Sequence, residues 1–373
     1  MPFGYLFSVL VVVAIVASTL WPRPTDGPRA TPGFVLGTIG NTAPFLLAWY
    51  LVLITWLAAI SGDLAQPIAW LAVALAALAL AGLGRIAWLS GRAMGVLDAA
   101  LTRALGDDRP RTGWTAHRRR AAWALIAPFR IPDPRVRRHR NLQYGPSQRW
   151  NRLDVYRRPD VTSGPVFAYF HPGGFHSGSK NRQAKLLLET LAAHGWVCVS
   201  ADYHLRTDYR TSLIDAKRVI AWLRAEGHQY GADPATLVVA GGSAGAHLAL
   251  TCGLSAGQPE LQPGFEQIDT SVSAVVGLYG YYGRACGEAQ SAPTDFSGQV
   301  PPLLVVHGDA DPMVGAAGVR GFIDELRARG PGPIGYAELP GAGHNLDLSA
   351  SLHHAAITTA VLEFTRWLTQ RNR

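Results

Sequence analysis

A chain of 373 residues is long enough for a full-sized core plus an additional module. Only 16% of its residues are charged, against about 25% in an ordinary soluble domain, and the shortfall points to a membrane portion. The net charge of +8 comes wholly from residues 85–160, where 17 arginines face 6 acids, while residues 1–84 balance and 161–373 carry −3. A basic block beside an apolar region suits anionic lipid headgroups. Nucleic acid is not expected as a partner, because no nucleic-acid motif accompanies the block. Cys198, Cys252 and Cys286 are too few and too scattered for a disulfide framework or a metal centre.

Three apolar stretches open the chain: Phe3 to Trp21, Ala43 to Ile60, and Ile68 to Leu83, the last extendable through Ala87-Trp88-Leu89. Each approaches the length of a spanning helix, and Trp21, Trp49, Trp56, Trp70 and Trp88 suit membrane interfaces. A cleaved leader ending near Ala17-Ser18-Thr19 is the competing reading of the first stretch. It lacks a basic residue before its apolar core, and two further apolar stretches follow. Arg23 and Arg29 lie in the loop after the first stretch, only Asp63 in the loop after the second, and the basic block after the third. Three crossings put both positive segments on one side, which the positive-inside rule makes cytoplasmic.

Residues 90–130 read as helical. Within them, 116–129 join His117-Arg118-Arg119-Arg120 to Trp123, Leu125, Ile126 and Phe129, a mixture suited to a helix on the membrane surface or covering a catalytic site, or to an ordinary packed helix with a solvated arginine patch. Ile131-Pro132-Asp133-Pro134 reads as a linker. The chain thus divides into a membrane anchor over 1–90, a basic helical linker or cap over 91–134, and a catalytic domain over 135–373.

From 136 onward strands alternate with helices. Residues 136–144 and 151–157 form a hairpin pair. Strands follow at 165–170, 196–201, 237–240, 272–279, 302–307 and 334–339, with helices at 181–194, 211–226, 244–254, 315–329 and 350–370. This alternation supplies the crossovers that a mostly parallel sheet needs.

Four segments carry chemistry. Gly241-Gly242-Ser243-Ala244-Gly245 lies between a buried strand and a helix, so Ser243 must sit on a sharp turn that exposes its oxygen, with glycines letting strand and helix pass closely. A serine hydroxyl needs a base to take its proton, and Gly341-Ala342-Gly343-His344 follows the last strand. An acid must fix the imidazole's tautomer. His307-Gly308-Asp309-Ala310-Asp311-Pro312 offers two; Asp311, beyond the turn, is preferred, with Asp309 bracing that turn. Finally, His171-Pro172-Gly173-Gly174-Phe175 can present the N–H groups of Gly173 and Gly174, with Ala244 N–H, to an oxyanion. Pro172 has no N–H to give, and His171 is expected to hydrogen-bond within its loop.

These segments, in this order, resemble the hormone-sensitive-lipase-like branch of α/β-hydrolases over about residues 140–370. Ala201-Asp202-Tyr203-His204-Leu205 resembles that branch's D-Y-R-L segment, with His204 replacing Arg. The resemblance implies an α/β-hydrolase fold, Ser243, Asp311 and His344 as triad, and Gly173, Gly174 and Ala244 as oxyanion hole. Pro172 departs from the family's H-G-G-G, and Gly242 and Ala246 depart from its G-D-S-A-G-G. Ser-Ala-Gly-Ala-His-Leu is also similar to formamidase-like and methylesterase-like hydrolases. The expected activity is carboxylic ester hydrolysis without a cofactor, on a substrate that can be amphiphilic. Amide, formamide or lipid hydrolysis is the alternative within the fold, and a non-catalytic membrane scaffold the alternative outside it. The expected organisation is similar to that of membrane-anchored esterases of high-GC actinobacteria.

Overall fold

The computed structural model describes residues 2–24, 31–111, 114–126, 133–330 and 332–371. Arg29, Phe129, Ile131 and Pro132, singled out above, lie outside them.

The N-terminal part is helical: α1 (Pro2–Leu20), α2 (Pro32–Thr42), α3 (Pro44–Ile60), α4 (Pro67–Gly91), α5 (Ala93–Leu105) and α6 (Trp114–Ile126). Among the described residues, Phe3–Leu20 and Pro67–Leu105 are long and apolar enough to cross a membrane. The pair α2 and α3, bent by 90° at a short break, would add a third span if counted as one. Val9, Val12 and Val16 of α1 pack with Leu51 of α3 and with the alanine face of α4, Ala72, Ala76 and Ala79. Small residues let apolar helices approach where no hydrophobic drive separates them from lipid. Trp21, Trp49, Trp56, Trp70 and Trp88 are all exposed.

Helix α2 was not anticipated. Its glycines weaken the helical signal, yet Thr31 is a good N-cap and Pro32 a good first helical residue. Thr31 Oγ1 accepts the Phe34 N–H at 3.2 Å.

The remainder is an eight-stranded sheet with flanking helices: β1 (Arg137–Gln143), β2 (Arg152–Arg157), β3 (Gly164–Phe170), α7 (Lys185–Ala193), β4 (Val197–Ala201), α8 (Tyr209–Ala225), β5 (Ala232–Gly242), α9 (Ala244–Leu254), β6 (Ala274–Leu278), β7 (Leu303–Gly308), α10 (Ala316–Ala328), β8 (Ile334–Leu339) and α11 (Leu352–Arg371). The strand order is β1-β2-β4-β3-β5-β6-β7-β8. β1 and β2 form an antiparallel hairpin and β2 is antiparallel to β4; the other pairings are parallel. The hairpin and every later strand fall where the sequence pattern put them, with β5 longer at both ends and β6 shorter at both.

Side chains alternate across the sheet as the two-residue strand period requires. Val166, Ala168, Val239, Val275 and Val305 pack on the face covered by α8, α9 and α10. Phe167, Tyr169, Val238, Val276 and Val306 pack on the opposite face with α5, α7 and α11. Helix α5, within the stretch read as linker or cap, is thus part of the hydrolase core through Met94, Leu97 and Leu101. Arg109 ties it there: its buried guanidinium binds Asp98 of α5 and Glu363 of α11. Helix α6 lies along α11, where Arg119, Arg120 and Trp123 share a pocket with Leu186 and Thr190 of α7.

Candidate active site

Ser243 stands between the last residue of β5 and the first of α9, with φ 50° and ψ −118°. This strained conformation is characteristic of an exposed nucleophile on a strand-to-helix turn. Its N–H donates to the Leu278 carbonyl at the end of β6 (2.9 Å). The turn is closed around glycines: a Cβ on Gly241 would fall 2.2 Å from the backbone of Gly245, and one on Gly245 would fall 2.0 Å from the Phe170 carbonyl oxygen. Strand, elbow, helix and the loop after β3 are therefore in contact, and no side chain fits between them.

His344 and Asp311 come together from the loops after β8 and β7. The His344 Nδ1–H donates to Asp311 Oδ2 at 2.7 Å, since an ionised carboxylate only accepts. That leaves Nε2 as the basic nitrogen. Asp311 Oδ1 accepts the N–H groups of Met313 (2.8 Å) and Val314 (3.0 Å). Burial pushes the Asp311 carboxyl up, but the neighbouring His344, His307 and these N–H groups outweigh it and hold it below the ordinary carboxylate range. His307 Nε2–H donates to the Val314 carbonyl at 2.8 Å and stands 3.4 Å from Asp311 Oδ2. Burial lowers its pKa, against the neighbouring Asp311 carboxylate, which raises it.

Asp309 is exposed, and its carboxylate is taken up by the backbone rather than by the imidazole. Its Oδ1 accepts the Gly341 N–H at 2.7 Å, joining the turn after β7 to the loop that carries His344. Backbone bonds from Asp309 N to Leu339 O and from Ala310 N to Ala342 O continue that seam.

The loop after β3 wraps beside the elbow. Gly173 and Gly174 take φ 138° and 61°, conformations open to glycine. The Gly173 carbonyl accepts from His176 and Ser177 N–H, closing a tight turn. None of the Gly173, Gly174 and Ala244 N–H groups is spent in a backbone bond of the described turns and loops. His171 is a loop residue, not a base: Nδ1–H donates to the Pro172 carbonyl (2.8 Å), the ring stacks on Tyr203 at 4.4 Å, and burial lowers its pKa to about 4. His204, standing for the family's arginine, pairs with Asp215.

Sequence reasoning missed a second buried carboxylate. Asp347 accepts the hydroxyls of Tyr169 on β3 and Tyr279 after β6, and burial raises its pKa. The Tyr279 ring lies edge-on to the His344 imidazole at 4.7 Å. A Cβ on Gly242 would meet the Tyr279 hydroxyl at 2.3 Å. The tyrosine thus occupies the space that the family's usual aspartate side chain would enter at this position. No hydrogen bond joins Ser243 Oγ to the imidazole among the described residues, a looseness common in hydrolase sites before substrate binds.

Three kinds of comparison agree. A family model described as BD-FAE matches residues 153–283. The chain is 35% identical over 334 residues to Esterase LipQ of Mycobacterium tuberculosis, covering 78% of this chain and 79% of that protein. It is 35% identical over 339 residues to the probable carboxylic ester hydrolase LipM of the same organism, covering 80% and 78%. Among solved structures, Thermogutta terrifontis esterase 2 phosphoramylated by tabun superposes with a TM-score of 0.53 at 23% identity, over 61% of this chain and 92% of that one. That likeness speaks for the fold, and the mycobacterial relatives extend well beyond the sheet into the N-terminal helices. The chain belongs to the α/β-hydrolase esterases, a family of carboxylic ester hydrolases.

Proposed function

We propose that this protein hydrolyses carboxylic esters through an acyl-enzyme on Ser243. The observation that carries the reading is the Asp311–His344 hydrogen bond of 2.7 Å beside the strained Ser243 elbow. In this reading His344 Nε2 takes the Ser243 proton as Oγ attacks the ester carbonyl. Gly173, Gly174 and Ala244 N–H receive the developing oxyanion. The imidazolium then protonates the leaving alcohol oxygen, and water, activated by the same nitrogen, releases the acid. The triad is equally suited to amides, which differ in the leaving group that His344 must protonate. A series of p-nitrophenyl esters from acetyl to palmitoyl, with fluorophosphonate labelling alongside, tests the activity. Burst kinetics and a labelled protein are expected. A folded protein that neither labels nor turns over any ester would favour a scaffold instead.

The same reading places the catalytic domain on the cytoplasmic face, with α1, the α2–α3 pair and α4 crossing the bilayer. Arg23 and the arginines from Arg85 onward share one side in this topology. The ends of α1 and α4 support it. Ser18 and Thr19 of α1 border a cleft with His344, and Leu89 of α4 packs where a Gly341 Cβ would be. Both helices therefore end at the hydrolase. Arg85 and Arg92 stack on Trp88 at 4.5 and 5.0 Å, a pairing suited to the headgroup layer. Anionic lipid attracts each arginine close to the surface by about 1 kcal/mol, fading with salt. An ester that partitions to that surface suits a site so placed. A reporter active only in the cytoplasm, fused after Arg373, is expected to be active. Activity from a reporter that works only outside would reverse the topology.

A further inference from the structure

The helix that stands over the catalytic histidine is α2. The Phe34 ring centre lies 6.3 Å from that of His344, tilted by 58°. Between them runs a narrow cleft of about 20 Å³, bordered by Phe34, Thr38 and Asn41 on α2 and by Pro312, Gly343 and His344 on the hydrolase loops. The Asn41 side-chain oxygen is buried without a partner. Helix α2 is held in place by close approach to α1. A Cβ on Gly40 would fall 2.0 Å from Thr19 Oγ1, and one on Gly37 would fall 3.1 Å from the Ser18 carbonyl oxygen. Thr19 Oγ1 is itself fixed, donating to the Ile15 carbonyl at 2.7 Å. The wall is thus packed directly against α1.

We propose that Phe34 is a specificity-determining residue that limits the alcohol portion of the ester, on the carboxylesterase reading above. The direction follows from the imidazole. Its Nδ1 is bound to Asp311, so Nε2 serves both Ser243 and the leaving oxygen, and the departing alcohol lies on the His344 side of the scissile bond. The acyl carbonyl is turned toward the N–H groups of Gly173, Gly174 and Ala244. A cleft of this volume holds about one water molecule, so the longer the alcohol chain, the more it runs against the Phe34 ring.

The full chain in detergent is assayed by acetate release from ethyl, butyl and octyl acetate, and separately with p-nitrophenyl acetate and butyrate. Phe34→Ala should raise the octyl-to-ethyl ratio of kcat/KM by about tenfold or more, as expected for opening an apolar pocket by several methylenes. Thr38→Trp, which fills the cleft from the same helix, should lower that ratio. Phe34→Leu should move it in the direction of Phe34→Ala, and serves if the alanine variant does not fold. Phe7→Ala, changing an exposed residue near the start of α1, should leave it alone. The butyrate-to-acetate ratio should hold in every variant. An unchanged alcohol profile in variants that still take a fluorophosphonate label overturns the proposal while leaving the carboxylesterase reading standing. So does a shift confined to the acyl series. If the labelled wild type cleaves no ester of either series, the carboxylesterase reading falls and this proposal with it.

Discussion

Ser243→Ala is expected to lower kcat/KM by about 10⁴-fold or more and to abolish both the burst and fluorophosphonate labelling. The fold should be unchanged. Alanine keeps the Cβ that the elbow already accommodates at φ 50°, and the backbone bond from residue 243 to the Leu278 carbonyl needs no side chain. Some rate above that in water should persist, because donors aimed at the oxyanion act without the nucleophile. Stopped-flow p-nitrophenol release, with circular dichroism as the fold check, decides the matter. Turnover like the wild type's would move the nucleophile elsewhere.

Asp311→Asn should follow closely, with a loss in kcat of about 10²–10⁴-fold. The asparagine oxygen can still accept from Met313 and Val314, but its amide then turns N–H toward His344 Nδ1. The imidazole must answer with the other tautomer, placing a proton on Nε2 where a lone pair is required. Asp309→Asn keeps an oxygen for the Gly341 N–H and should change kcat far less. Steady-state kinetics on the two variants gives the ranking, and the reverse order would transfer the acid's role. Acid should act on Asp311 late. Because its folded pKa is depressed, the stability it contributes is present above the ordinary carboxylate pKa and is lost as pH falls through the lower, folded value.

The segments that carry chemistry were legible because each is a short loop at a strand end, with glycines whose purpose is steric. HPGGF, GGSAG, HGDADP and GAGH each stand at the end of a strand that the sequence pattern itself marks. What stayed hidden depends on contacts between distant residues. Tyr169 and Asp347 are 178 positions apart, and Tyr279 and Asp347 are 68 apart, with no periodicity joining them. Helix α2 was hidden for another reason: Gly33, Gly37 and Gly40 read as loop, whereas Gly37 and Gly40 permit close contact with α1. Helix α5 lies in the stretch read as a basic helical linker or cap; Met94, Leu97 and Leu101, spaced at helical intervals on one face, were the signal that it packs into the hydrolase core.

Pro67–Leu105 is one stretch of 39 residues in candidate-span terms, apolar and lipid-suited at its start and locked under the sheet at its end. On the proposed membrane reading, the border between lipid and water therefore does not coincide with the border between the folded units. A cut at residue 135 would strip Met94, Leu97 and Leu101 from the hydrolase interior, each about 1.5–3 kcal/mol of apolar burial, and would leave Glu363 without Arg109. The last turns of this helical stretch are foundation for the very strand, β8, whose loop presents His344.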